Sequence, residues 1–427
     1  MAVSTLDKSF PPASWGLAET DLAAAGLPLH RFQTPVLTLD SSAMASNVEA
    51  MARWTRDAGV ALAPHGKTTM APDLWRRQLD AGAWGITLAT AWQVQVARSF
   101  GVERVMLANV LVDPVGLRWV AAELAAHPEF SFICWADSVE SIERMVAELG
   151  DARPDRPVRV IVELGAEGGR TGARTVGEAL EVARAVDASP ALALAGCGGY
   201  EGALAHDRSA EAVSRDVGYL DDVARLHLEL EASGLYRHGE AIVTVGGSAY
   251  FDLVVDRLGG LASSPTGPGV DTTVVLRSGA YLVHDDGFYR GITPSGAGSD
   301  RGPVFRSAMH AWVRVVSRPE PGLVIFDGGR RDLPFDEGMP QAQRVSGADV
   351  DAGESILRGS RVTALNDQHG FLRLRDDAPA DALPVGSVLR LGLSHPCTAL
   401  DKWRLIPLID DADAALPTVV GAVRTYF

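Results

Sequence analysis

The chain has 427 residues, of which 47% are hydrophobic and 22% charged, with a formal net charge of −15 and a pI near 5.1. This length suits two domains, or one large domain with an appendage. An acidic chain without a basic run argues against nucleic acid and anionic membranes as partners. No apolar run reaches the roughly 18 residues that span a bilayer, and the N-terminus, MAVSTLDKSFPPASWG, lacks a signal pattern. The expected compartment is the cytoplasm. Three widely spaced cysteines, Cys134, Cys197 and Cys397, do not make a disulfide framework.

In chain order, β-branched apolar runs alternate with amphipathic helical stretches as far as about residue 282. The runs are VLTLD (36–40), ALAPH (61–65), GITLA (85–89), RVMLAN (104–109), FSFICW (130–135), VRVIVEL (158–164), LALAGC (192–197), AIVTVG (241–246) and TTVVLRS (272–278). The alternation predicts βα units and a parallel sheet. Nine runs are one more than a closed (β/α)8 barrel needs. An open doubly wound sheet is the alternative, but no GxGxxG follows the first run. Beyond residue 288 the helical pattern fades into AWVRVVS, GLVIFDGG, SRVTALND, GFLRLR, GSVLRLG and WRLIPLID, which predict a β-rich domain. The boundary is expected in the Gly-, Ser- and Pro-rich loop GITPSGAGSDRG (291–302).

In a barrel the chemistry sits at the C-terminal strand ends. Those ends carry Gly66-Lys67-Thr68, GAEGGRTG with Arg170, Gly198-Gly199-Tyr200, Gly246-Gly247-Ser248 and Ser278-Gly279-Ala280-Tyr281. Small residues there let backbone N–H groups approach a phosphate; the plain alternative is tight βα turns. Lysine occurs only at Lys8, Lys67 and Lys402, against 39 basic residues in all. Lys67 could simply pack its stem and send its amine to solvent. Desolvated, it is instead a neutral nucleophile able to form an imine. A lysine of this kind, a phosphate cradle and an arginine near a ring together describe pyridoxal phosphate chemistry.

Far downstream, GLSHPCTALDKWR places His395 and Cys397 two apart, a zinc-type pair. The plain alternative is a buried cysteine beside a hydrogen-bonded histidine. Asp401 or His369 is a candidate further ligand.

The segments RFQTPVLTLDSSAMASNVEAM, APHGKT, GCGGYEG, VGGS, LRSGAY, NDQHG and LSHPCTALDKW resemble, in this order, the metal-dependent D-serine dehydratase and D-threonine aldolase family. These are fold-type III pyridoxal phosphate enzymes related to alanine racemase. The resemblance implies an α/β fold: an N-terminal (β/α)8 TIM barrel over 41–287 and a β-rich domain formed by 1–40 and 288–427, with the 36–40 strand joining the latter. It implies that Lys67 holds pyridoxal 5'-phosphate, that Arg170 and Tyr200 lie by the pyridine ring, that Gly247, Ser248, Gly279 and Ala280 cradle the phosphate, and that Tyr281 closes the pocket. His395 and Cys397 then hold a divalent metal, zinc by their chemistry, and the protein is expected to be a homodimer acting on a small D-amino acid.

The expected reaction is β-elimination of a 3-hydroxy D-amino acid to a keto acid and ammonia. Lys67 removes the α-proton and the metal assists departure of hydroxide. Retro-aldol cleavage to glycine and an aldehyde uses the same parts and is the alternative; a non-catalytic cofactor-binding protein is a further one. A racemase needs a second base, and beyond Tyr289 the only tyrosine is Tyr426.

Overall fold

The computed structural model describes the chain except residues 153–155, 238, 263–268, 296–300, 348–349 and 380; the side chains of 151–152 and 350–352 are also left undescribed. Residues 296–300 belong to the expected boundary loop, so that part of it lies outside the described residues. Among the described residues no helix is long and apolar enough to cross a membrane.

Strand β1 (Val36–Asp40) is followed by eight parallel strands: β2 (Ala61–Leu62), β3 (Ile86–Leu88), β4 (Arg104–Val110), β5 (Ser131–Ala136), β6 (Val158–Leu164), β7 (Leu192–Gly199), β8 (Glu240–Thr244) and β9 (Asp271–Leu276). They pair in the order β2-β9-β8-β7-β6-β5-β4-β3. A parallel bridge between His65 and Thr87 joins the two ends of that order and closes the barrel. The Thr87 N–H donates to Pro64 O at 2.9 Å and the Trp84 N–H to Leu62 O at 2.7 Å. The (β/α)8 barrel expected from the alternation is therefore present. The run 61–65 yields only two strand residues, because Pro64 has no N–H to give a ladder.

Side-chain alternation sorts the barrel into layers. Ala63, Met106, Ile133, Ile161, Ala195, Ile242 and Val275 fill its centre. Counting two residues onward places Glu163, Thr244 and Arg277 at the mouth. The other strand face packs against the helices, through residues such as Val105, Phe132, Val160 and Val243.

The second sheet is mixed. Its path is β13 (Arg361–Leu365), β14 (Gly370–Arg373), β11 (Leu323–Phe326), β10 (Met309–Glu320), β1, β16 (Leu405–Ile409) and β17 (Val419–Arg424). Strand β15 (Val388–Gly392) pairs with β10 and with β12 (Gln341–Val345). Thus β1 lies outside the barrel, antiparallel to β10 and parallel to β16. Both β12 and β17 are absent from the sequence-based expectation. The first reads QAQRV, without apolar alternation, and the second carries Gly421 in its interior.

Asp40 joins the two units. It ends β1, and its carboxylate caps the barrel helix Ser41–Asp57 by accepting the Ala43 N–H at 2.8 Å. It also accepts the Ala412 N–H, beyond β16, at 2.8 Å. Asp40 is 2% exposed, so its removal strips a cap and leaves a buried donor without a partner. Asp40→Ala is expected to lower the urea-unfolding free energy by about 2–3 kcal/mol, read from the midpoint at unchanged slope.

Candidate active site

Lys67 is presented by one turn of 3-10 helix, Gly66–Thr68, directly after β2. The turn packs so tightly that a Cβ on Gly66 would come within 2.7 Å of Ile86 and of Trp75. The Trp75 indole N–H donates to Gly66 O at 3.0 Å. Lys8 and Lys402 have carboxylate partners, Asp332 at 2.8 Å and Asp401 at 3.4 Å. Lys67 has none among the described residues. Burial is the main cause lowering its amine pKa; the Cys397 sulphur opposes this, and the Arg170 and Arg277 guanidiniums add to it. These are the conditions that make a lysine amine nucleophilic.

The floor beneath is built around Arg277, 1% exposed. Its guanidinium donates to Thr244 Oγ1 at 2.7 Å and to Gly199 O at 2.6 Å, and stacks 4.7 Å from the Trp135 ring centre. Glu163 is 4% exposed. Its Oε1 accepts the Thr171 hydroxyl at 2.9 Å, while Oε2 has no hydrogen-bond partner among the described residues. Burial raises the Glu163 pKa to about 6, with Asp137 acting in the same direction and Thr171, Arg277 and Arg170 opposing. His65 lies on the same rim; burial first, then Lys67 and the two arginines, hold its imidazole well below the ordinary value.

The glycine-rich ends converge, with a division of labour that the sequence does not reveal. Ser248 Oγ accepts the N–H groups of Gly279 and Ala280, at 3.2 and 3.1 Å. A Cβ on Gly279 would meet the His65 carbonyl oxygen at 2.6 Å, so the close approach requires glycine. Glu201, fully buried, accepts the N–H of Gly246 at 3.1 Å and of Gly247 at 2.7 Å. Gly247 therefore supplies room here, with its donor already taken. The Arg170 guanidinium lies 4.9 Å from the centre of the Tyr200 ring. Tyr281 is buried in the core, its hydroxyl accepting from Gln78 Nε2 at 2.9 Å, so it braces the site from behind.

The downstream pair reaches the same place from the other unit. His395 precedes the short helix Pro396–Leu400 and adopts φ 53°, a left-handed conformation that a non-glycine residue holds only under constraint. Asp285 supplies that constraint by accepting the His395 N–H at 3.1 Å. Asp336 Oδ2 lies 2.5 Å from His395 Nδ1 and Oδ1 accepts the Thr398 hydroxyl at 2.7 Å. The Cys397 thiol donates to Thr68 Oγ1 at 3.5 Å, which ties this segment to the lysine turn. Contact with the Cys397 sulphur, aided by Asp336, pushes the His395 pKa up to about 9. Burial works against ionisation of the Cys397 thiol, but His395, Thr68 and Lys67 outweigh it and hold its pKa below the ordinary value. Among the described residues no group of three or more His, Cys, Asp and Glu could hold a metal. Asp401 and His369 accordingly do not complete a ligand set: Asp401 pairs with Lys402, and His369 is exposed beside β14.

Residues 308–409 match the model of the putative serine dehydratase domain. Over 381 residues the chain is 28% identical to the D-threonine aldolase of Arthrobacter sp, covering 89% of this chain and 90% of that one. The crystal structure of D-threonine aldolase from Filomicrobium marinum has the same fold, with TM-score 0.76 and 24% identity over 94% of this chain and 97% of that one. So does D-threo-3-hydroxyaspartate dehydratase in a metal-free form, with TM-score 0.70 and 19% identity over 92% and 97%. The variants of that dehydratase replace a histidine and, two positions on, a cysteine, the spacing of His395 and Cys397. The fold is thus the alanine racemase-like one, and the comparisons return relatives from the family that the motifs resemble.

Glu163 offers a test of the floor. Its folded pKa lies above the ordinary 4.5, so its ionisation costs stability as pH rises from 4.5 through about 6. Glu163→Gln keeps the Thr171 contact and removes that cost. The variant is expected to be more stable than wild type above pH 6, by roughly 1–2 kcal/mol, with the difference vanishing below pH 4.5. Thermal unfolding across this range checks it.

Proposed function

We propose that the chain is a pyridoxal phosphate- and divalent metal-dependent lyase that eliminates water from a 3-hydroxy D-amino acid, giving a keto acid and ammonia. The observation that carries this reading is the meeting of Lys67 with the His395–Cys397 pair across Thr68. A covalent anchor and a metal-type pair then act on adjacent atoms of one substrate.

The residues present fit the cofactor, and for the metal His395 and Cys397 supply two donors of suitable chemistry, with no third protein ligand beside them among the described residues. For the cofactor there is a desolvated lysine, small residues at 246–248 and 278–280 that leave room for a phosphate, with the Gly279 and Ala280 N–H groups turned to Ser248 Oγ, and an arginine–tyrosine stack at the rim. For the metal there is a borderline nitrogen with a thiol whose pKa is held down. Bound at Lys67, pyridoxal phosphate supplies an electron sink for charge developing at the α-carbon. Bound at His395 and Cys397, a divalent ion supplies a Lewis acid for the departing hydroxyl.

The chain's own residues do the rest. The Lys67 amine would serve as the base that takes the α-proton from one face of the substrate; a single base on one face selects one enantiomer. Arg277 fixes the floor through Thr244 and Gly199. Asp336 occupies His395 Nδ1, which leaves Nε2 as the ligating nitrogen. Asp285 holds the His395 backbone in place.

The His-x-Cys spacing shared with the dehydratase variants favours elimination. The similarity to D-threonine aldolase favours carbon–carbon cleavage as the second reading. Incubation with D-threonine separates them. 2-Oxobutyrate and ammonia, lost on chelation and restored by zinc, are expected; glycine and acetaldehyde would replace the first reading with the second.

A further inference from the structure

Thr68 stands between the two chemical centres. It is 3% exposed and follows Lys67 directly in the 66–68 turn, whose geometry is set by the crowding around Gly66. Its N–H donates to His65 O at 3.4 Å, and the Met70 N–H donates to Gly66 O at 2.9 Å, so the backbone has little freedom. Its hydroxyl faces Cys397 Sγ at 3.5 Å, and among the described residues it has no other hydrogen-bond partner. As a β-branched residue it holds few χ1 rotamers. Of the contacts described, this one ties the lysine turn to a side chain of the metal-type pair.

We infer that Thr68 is a positioning residue for the metal thiolate, holding the Cys397 sulphur by a hydrogen bond and fixing its distance from the Lys67 amine. The inference rests on the proposed metal site and adds to it. In the thiol form Cys397 donates to Thr68. When a divalent ion binds, the thiol proton leaves to solvent, one sulphur lone pair goes to the ion, and the sulphur can only accept. The Thr68 hydroxyl then reverses and donates to a remaining lone pair. His395, to ligate through Nε2, likewise gives up the proton on that nitrogen to solvent. Such a bond draws charge from the sulphur and orients it, as outer-shell partners of metal ligands do. Valine at this position keeps the shape and loses the donor; serine keeps the donor and loses a methyl group.

The test is metal binding by the full-length chain stripped of metal and titrated with cobalt(II). It reads the sulphur-to-cobalt charge-transfer band, with affinity taken by chelator competition. Thr68→Val is expected to bind cobalt at least about tenfold more weakly, with the band moved to longer wavelength because the sulphur is more electron-rich. Thr68→Ser is expected to restore both. Circular dichroism and the thermal midpoint confirm that each variant folds. If Thr68→Val binds with wild-type affinity and an unmoved band, or weakens without a band shift, or if Thr68→Ser behaves like Thr68→Val, the inference is overturned while the metal site stands. If Cys397→Ala takes up cobalt with the wild-type spectrum, the metal site itself falls and takes this inference with it.

Discussion

The site depends on one desolvated amine. Lys67 can be a neutral nucleophile only where water is scarce and other cations lie close, and the barrel mouth provides both. Arg277 is buried beneath it and Arg170 lies at the rim, while the opposing sulphur of Cys397 comes from the second unit. Neither domain makes this environment by itself. The barrel contributes the lysine and the guanidiniums, and the segment after β15 contributes the histidine and the thiol. An arginine in place of Lys67 would keep its proton and could form no imine, so the proposed function would account for a lysine in a chain that otherwise writes its positive charge almost wholly as arginine.

The architecture keeps the two contributions in register. Strand β1 leaves the barrel and lies between β10 and β16. Asp40 at its end binds both the first barrel helix and the loop after β16. The unusual backbone at His395 is held by Asp285, which follows the last barrel strand and also accepts the N–H groups of Gly287 and Tyr289. Local strain on one side is therefore stabilised by hydrogen bonds from the other, the arrangement expected where geometry serves chemistry.

Much of this was legible in the sequence. The β-branched runs marked the barrel strands, and β6 coincides with its run, in which Val158, Val160, Ile161, Val162 and Leu164 are buried although Arg159 and Glu163 interrupt the apolar sequence. Lys67 stood out by rarity, and His395 and Cys397 by spacing. The supporting residues did not stand out. Glu201 and Asp336 look like ordinary loop acids, and only the fold shows one accepting two glycine N–H groups and the other engaging a histidine ring. Thr68 reads as a turn residue until Cys397, 329 positions away, is brought beside it. Gly247 illustrates the converse, since small size predicted a free donor that Glu201 occupies. Strands β12 and β17 escaped notice because a polar strand and a glycine-broken strand are defined by their neighbours.

The central claim is that covalent chemistry takes place at Lys67. The chain has three lysines, so reduction with sodium borohydride in the presence of pyridoxal phosphate, followed by peptide mapping, reads it directly. The account predicts a reduced pyridoxyl adduct on the peptide carrying Lys67 and none in the Lys67→Ala variant. An adduct at Lys8 or Lys402 instead, or one that survives in that variant, would contradict it.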